Sequence, residues 1–166
     1  MPKRAPTRQV SLSSQGEGLS STGNNSNCEE KMTFDISKLA VKDTGIVELE
    51  SPDGEPLVND KGEPMSITVY GPGSKQFQKA QGVRNRAILE YVRKGGKKMK
   101  DDEQRELDAD FLASCTASFN GFTYKEYTGY DMFRAAYLDP SIGFISEQVN
   151  KAVGDWSNFT QGSQKT

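Results

Sequence analysis

The side chains that could do chemistry in this chain are carboxylates, amines and two cysteines, because histidine is absent. Histidine is the usual general base near neutral pH and the commonest metal ligand, so Ser–His pairs, Cys–His pairs and most zinc sites are excluded. Cys28 and Cys115 are isolated in the sequence, a pattern that forms neither a disulfide framework nor a metal site. Only carboxylate chemistry stays open. We expect no catalysis, no metal and no cofactor.

Two segments have the composition of a ligand site but lack its spacing. The first holds four acidic residues without the spacing of a calcium loop: Asp53, Glu55, Asp60 and Glu63. The second, Gly71 to Lys75, lies between a predicted strand and a predicted helix, where anions can bind, but it lacks the P-loop spacing. Both segments are therefore interpreted as turns, the second ending in a helix N-cap.

The charges argue against nucleic acid as a partner. Lys97, Lys98 and Lys100 are followed at once by three acidic residues, so this cluster is compensated. The whole chain has 21 basic and 23 acidic residues and a net charge of −2, whereas a dedicated nucleic-acid binder has a basic excess. We expect no specific nucleic-acid partner.

Aromatic residues are the most concentrated candidates for binding another protein. Six of them fall within fifteen residues: Phe119, Phe122, Tyr124, Tyr127, Tyr130 and Phe133. Most are expected in the core, because aromatic side chains dominate burial, and one or two could be exposed anchors, because aromatics are enriched at the energetic centre of interfaces.

A small sheet is predicted to come first in the ordered part. Thr44 to Glu50 and Met65 to Tyr70 show the alternation and β-branched content of strands. Ser51 to Gly54 and Asn59 to Gly62 are turn signals between them. This ribbon is marginal alone, so it must pack on the segments that follow.

Helices are predicted for the remainder. Ser74 is an N-cap for a helix whose stripe consists of Phe77, Ala80, Arg84, Ala87, Ile88, Tyr91 and Val92. A second helix begins near Asp101 and has the stripe Leu107, Phe111, Leu112, Cys115 and Phe119. A third opens with a capping box at Thr128 and buries Met132, Phe133, Ala136 and Tyr137. The last starts at Asp139-Pro140 and buries Ile142, Ile145, Val149, Ala152, Val153 and Trp156.

The predicted fold is α+β: a small antiparallel β-ribbon followed by a compact bundle of three to four helices, with a disordered N-terminal arm. Residues 1–32 are rich in Ser, Gly, Asn and Gln and form the arm, because they offer too little apolar surface to offset the entropy of ordering. Residues 33–160 form one domain, with the ribbon in 33–73 and the helical part in 74–160. Residues 161–166 form a tail.

The chain lacks the features of a membrane or secreted protein. No apolar run approaches the roughly 20 residues that span a bilayer. Met1-Pro2-Lys3-Arg4 leads into polar residues rather than the apolar stretch of a secretory signal. We therefore expect no membrane partner and a cytoplasmic location.

The order of these segments resembles the tail assembly chaperones of long-tailed bacteriophages. The resemblance covers roughly residues 33–160 and is carried by short stretches: Asp53–Leu57, Ile67–Ser74, Asp110–Phe122, Tyr130–Pro140 and Ile142–Phe159. It implies a non-enzymatic protein of the host cell cytoplasm that binds the tape measure protein, a long apolar helical chain, and helps to recruit tail tube subunits. The family has no catalytic or metal residue to carry over.

Such a chaperone needs an apolar groove that holds an amphipathic helix. We predict that the aromatic region 119–137 and the final helix line this groove. The predicted partner-binding residues are Phe119, Phe122, Tyr127, Tyr130, Phe133, Tyr137, Ile145, Val149 and Trp156. Self-association is left open.

Two other functions are compatible with the sequence. One is a structural virion protein, such as a tail-terminator, head–tail joining or decoration protein, whose polar arm orders on assembly. The other is a carboxylate enzyme or nucleotide-binding module, which would require two converging carboxylates in a pocket.

Overall fold

A computed structural model describes residues 35–95 and 99–160. Its helices are α1 (Lys75–Arg93), α2 (Asp101–Cys115), α3 (Gly129–Leu138) and α4 (Gly143–Gly154), and its strands are β1 (Thr44–Glu48), β2 (Ser66–Tyr70) and β3 (Thr116–Asn120). Short 3-10 helices span Ile36–Leu39, Pro140–Ile142 and Trp156–Phe159. The predicted arm 1–32, the tail 161–166, and Cys28, Lys97 and Lys98 lie outside the described residues.

The three strands form one antiparallel sheet in the order β1-β2-β3. Successive side chains of a strand point to opposite faces of the sheet, and this alternation decides which of them meet the helices. Val47 and Ile67 are paired and buried, whereas their neighbours Ile46 and Thr68 are on the other face. The α+β fold class predicted from the sequence is confirmed, as are both turns, in which Gly54 N–H donates to Ser51 and Gly62 N–H to Asn59.

The third strand was not predicted. The second helix was expected to continue to Phe119, but α2 ends at Cys115 and β3 begins with Thr116, without an intervening loop. Phe119 lies opposite Ile67 of β2 in the ladder. The prediction was wrong because a spacing of four from Cys115 to Phe119 fits a helix, while pairing with a distant strand leaves no local signal.

All four predicted helix starts are confirmed, and two of the three predicted N-caps form their side-chain hydrogen bonds. The Ser74 hydroxyl accepts from Phe77 N–H at 3.2 Å and donates to the Gly71 carbonyl at 2.7 Å. Asp139 Oδ1 accepts from Ser141 N–H at 2.9 Å. Thr128 does precede α3, but its side chain makes no cap hydrogen bond, so the predicted capping box is absent.

The C-terminal part was predicted as one helix and is three. A 3-10 turn precedes α4, and a second one follows it after Asp155, whose side chain caps the turn by accepting from Ser157 N–H at 2.9 Å. Trp156 was expected to be buried and is exposed, because it falls in this last turn. Phe159 takes the interior place, and its carbonyl accepts from Lys42 N–H at 2.7 Å.

The buried core lies between the sheet and the helices, and residues from all four helices and all three strands contribute to it. In the described part of the chain, no helix combines the length and apolar character needed to cross a membrane.

Candidate protein-binding surface

Most of the predicted partner-binding aromatics form a cluster between β3 and α3. The ring of Phe119 stacks on Phe122, with centroids 4.7 Å and planes 19° apart. The same ring contacts Phe133 at 4.7 Å and meets Tyr137 edge-on at 6.0 Å. Phe133 and Tyr137 are buried, and Phe119 and Phe122 are half-buried. Since all of these contacts are within the domain, the cluster holds α3 on the sheet.

Tyr137 also places its hydroxyl in this interior. The Thr116 hydroxyl donates to the Leu112 carbonyl at 2.8 Å, so Tyr137 must be the donor in its own 2.7 Å bond to Thr116. Burial raises the pKa of Tyr137, which keeps this donor protonated at neutral pH. The bond joins the end of α2, the start of β3 and α3.

Two further predicted residues, Ile145 and Val149, are buried on the inner face of α4. With Phe133 and Tyr137 they form part of the core, so a partner could reach these four side chains only if the domain opened. The structure therefore gives them a packing role, and their contact with a partner stays a prediction.

The remaining predicted residues are exposed but lie in different parts of the fold. Tyr127 and Tyr130 flank the start of α3, which packs on α2 and β3, and the Tyr130 hydroxyl is 3.3 Å from Asp110 Oδ1. Trp156 is in the 3-10 helix that packs on β1 and α4. Of the two clefts described next, the first is lined by Tyr127 but by no residue of α4, and the second is lined by residues of α4 but by none of these three.

An open cavity of about 490 Å³ lies beside Tyr127. The Tyr124 hydroxyl donates to Asp139 Oδ2 at 2.5 Å, and Lys125 Nζ lies 4.0 Å from the same oxygen and 4.7 Å from the Tyr124 ring centroid. Hydrogen bonds from Ser141 and Tyr124 lower the pKa of Asp139 to about 2. Lys125 and Tyr124 already bond the Asp139 carboxylate. The opposite charges of Lys125 and Asp139 therefore offset each other on this side of the cavity.

A second cleft, of about 350 Å³, lies between α2 and the start of α4. Its rim has four carboxylates: Asp101, Asp108, Asp139 and Glu147. Asp108 is bonded to Arg84 and, at 3.0 Å, to Gln104 Nε2. Within residues 35–95 and 99–160, no three His, Cys, Asp or Glu side chains are placed to hold a metal ion. The cleft is also lined by Arg105 and by apolar side chains such as Leu112 and Leu138, and the apolar groove predicted between region 119–137 and the final helix stays a prediction.

The N-terminal half of α1 is firmly attached to the core. Phe77 and Ala80 are buried, and the Phe77 ring meets Phe111 of α2 edge-on at 5.6 Å. One turn later, Arg84 pairs with Asp108, and its guanidinium carbon lies 5.0 Å from the centre of the Phe111 ring. Arg84 thus stacks on an aromatic face and satisfies a carboxylate at once.

The C-terminal half of α1 extends past this attachment. Ile88, Leu89 and Val92 leave 38%, 57% and 60% of their surface exposed. They share one side of the helix, because residues three and four apart are neighbours on a helix surface. We call these three residues the α1 strip. The strip is an aliphatic surface, and the N-terminal half of the same helix is held by the core. A docking site for a second helix requires an apolar surface of this kind.

Ile88 and Val92 were predicted to belong to the inward stripe of α1, and Leu89 was not part of any predicted surface. The sequence does indicate that Leu89 is exposed. A core-facing stripe covers roughly 100° of a helix, and Ile88 and Leu89 are about 100° apart. The two residues therefore cannot both point at the core together with Phe77 and Ala80. Adjacent apolar residues beside a complete stripe thus indicate a second surface.

Comparisons with protein-family models, with curated proteins and with solved structures found no match to this chain.

Proposed function

We propose that this protein is a non-enzymatic tail assembly chaperone of the long-tailed phage type, which binds the tape measure protein in the host cell cytoplasm and helps to recruit tail tube subunits. The α1 strip supports the proposal most directly. A tape measure protein is a long apolar helical chain, and an aliphatic surface on a fixed helix can cover one side of such a helix.

The size of the surface sets the expected strength of the contact. Each strip side chain leaves about half of its area to water, and complete burial of Val, Leu or Ile is worth about 1.5–3 kcal/mol. Covering the remaining area therefore contributes about 1 kcal/mol per residue, or roughly 3 kcal/mol for the strip. That is enough to favour a docked helix, but not enough for tight binding at a single contact, because association itself has a large entropic cost.

Co-expression with the tape measure protein tests the proposal. The wild-type protein is expected to keep the tape measure protein in the soluble fraction and to co-purify with it. Leu89→Gln is expected to weaken binding by roughly tenfold, because the exposed leucine would lie at the centre of the contact. Ile46→Gln is the matched control, since Ile46 is 54% exposed on the far face of the sheet. Equal rescue by both folded variants would contradict the proposed contact.

Purified virions distinguish the chaperone from a structural virion protein. A chaperone need not remain in the particle, so mass spectrometry of virions is expected to find at most traces of this chain. A stoichiometric amount would instead favour the tail-terminator, joining or decoration role.

A further inference from the structure

A row of four cations runs along the outer side of α1, next to the strip. Its members are Lys75, Lys79, Arg86 and Arg93. Their spacings of four, seven and seven place them within about 40° of one another around the helix axis. All four are exposed, and none forms an ion pair with a residue in 35–95 or 99–160. Only two of them, Arg86 and Arg93, stand at the level of the strip.

Two other charged residues lie on α1. Arg84 points inward and is paired with Asp108, and Glu90 lies four residues after Arg86 and three before Arg93 without forming an ion pair with either. The exposed surface of the C-terminal half therefore combines three aliphatic side chains with two guanidinium groups that have no ion-pair partner among the described residues, although Arg86 Nε donates to the Gly82 carbonyl at 3.4 Å. The two arginines lie seven residues and about 10 Å apart along the axis.

From this combination we infer that the occupant of the α1 strip is an acidic amphipathic helix, with its apolar side flanked by carboxylates about two turns apart that meet Arg86 and Arg93. The inference rests on the proposed function, because it specifies the chemistry of the helix that the strip holds. Arginine suits this role, since its planar guanidinium bonds a carboxylate through two parallel donors.

A peptide helix fits this surface better than a nucleic acid or a membrane does. Three acidic residues, Asp101, Asp102 and Glu103, form the first turn of α2, directly after the connection from α1, and the whole chain has a net charge of −2. These acids offset the lysines that directly precede them in the sequence, so this end of the protein has no large basic excess to attract a phosphate backbone or an anionic bilayer. A single helix lying along the C-terminal half of α1 contacts the two arginines and meets only one carboxylate of that helix, Glu90.

Two synthetic peptides test the inference on the full chain. Both are amphipathic helices with the same leucine stripe, one flanked by glutamates at positions i and i+7 and the other by lysines at those positions. Fluorescence anisotropy is expected to show about tenfold tighter binding of the glutamate peptide at low salt, shrinking as salt is added, because two exposed ion pairs and two like-charge contacts distinguish the peptides.

Charge reversal supplies the decisive comparison. Arg86→Glu/Arg93→Glu is expected to reverse the preference in favour of the lysine peptide, while the matched reversal Lys75→Glu/Lys79→Glu keeps the glutamate preference, because those lysines lie on the half of α1 without the strip. Equal binding of both peptides by the wild type, failure of the glutamate peptide to bind, or tighter binding to anionic vesicles or single-stranded DNA would overturn the inference. Circular dichroism verifies that each variant is folded.

The outcomes also separate this inference from the proposed function. If Leu89→Gln abolishes rescue of the tape measure protein but the peptides bind equally, the chaperone role stands and the acidic partner does not. If the glutamate peptide is preferred and reversed as expected while the tape measure protein is never held, the surface chemistry stands and its assignment to tail assembly fails.

Discussion

Two glycines of the sheet region lie against one aromatic ring. A Cβ atom at Gly71 would be 2.4 Å from Cδ1 of Phe159, and one at Gly45 would be 2.9 Å from Cε1 of the same ring. Phe159 is fully buried and its backbone is bonded to Lys42, so the ring has little room to withdraw. The last turn of the domain therefore closes over the sheet only because these positions carry no side chain.

Gly71→Ala should consequently destabilise the domain. Carbon atoms in ordinary contact are about 3.5–4.0 Å apart, so the new methyl group overlaps the ring by more than 1 Å. Overpacking of this kind costs about 1–3 kcal/mol, and we expect about 3 kcal/mol because three ring atoms are affected. Phe159→Leu replaces the ring with a smaller side chain and so relieves the overlap. The free energy lost in the double variant should therefore be smaller than the sum of the losses in the two single variants.

Urea denaturation followed by circular dichroism measures these free energies of unfolding. Gly82→Ala is the matched control: a Cβ there meets nothing within 4 Å, and alanine in a helix interior is favoured over glycine by about 1 kcal/mol. The same substitution should thus lower stability at one position and raise it at the other. Gly71→Ala with wild-type stability, or strict additivity with Phe159→Leu, would refute the close approach as the cause.

Three further predictions concern polar and titratable groups. Thr116→Val removes the acceptor of the buried Tyr137 hydroxyl and should cost about 1–3 kcal/mol in urea denaturation, most of it recovered when Tyr137→Phe is added; no recovery would mean that the hydroxyl finds another partner. Burial raises the pKa of Cys115 to about 12, so in a Cys28→Ser background its alkylation at pH 8 should follow global unfolding, and rapid labelling of the folded protein would contradict this. The pKa of Asp139 is lowered from 3.8 to about 2, so its carboxylate stabilises the fold above pH 4 and loses this effect as the pH falls towards 2. Asp139→Asn should therefore flatten the pH dependence of the urea midpoint between about pH 4 and about pH 2. An unchanged slope would count against this role of Asp139.

The elements that the sequence predicted well are those with a local cause. The Ser74 cap, the Asp139 cap and the two turns depend on hydrogen bonds between residues two to four apart, so composition and spacing suffice to locate them. Strand β2 was located because its alternation and β-branched content are visible within six residues.

The elements that were missed depend on distant partners. Thr116 to Asn120 became a strand because β2 offers a ladder to it, and nothing in these five residues excludes a helix that continues from α2. Trp156 was expected inside because large aromatics usually are, but Phe159, three residues later, occupies the interior beside Gly71. Which of two aromatics is buried depends on the space that the sheet leaves, and this is not a local property.

The prediction of the binding surface was limited because the sequence does not show whether an apolar side chain is buried or exposed. An aromatic cluster is compatible with a core and with an interface, and the contacts around Phe119 show that it is used as packing. Apolar residues on a helix pose the same question, and only the position of α2 shows that Phe77 is covered whereas Leu89 is not.

The two halves of α1 depend on each other physically. A helix of nine residues is unstable alone in water, because nucleation is unfavourable and few hydrogen bonds follow it. The segment from Asn85 to Arg93 can remain helical because it continues a helix whose first turns are fixed by Ser74 and Phe77. The core therefore contributes to binding indirectly: it preorganises the strip and its two arginines on a regular helix, so that a docking partner does not have to order them. A partner that lies along this half would in turn add the packing it lacks, and the gain in helix stability should appear as slower amide exchange from Asn85 to Arg93 in the complex.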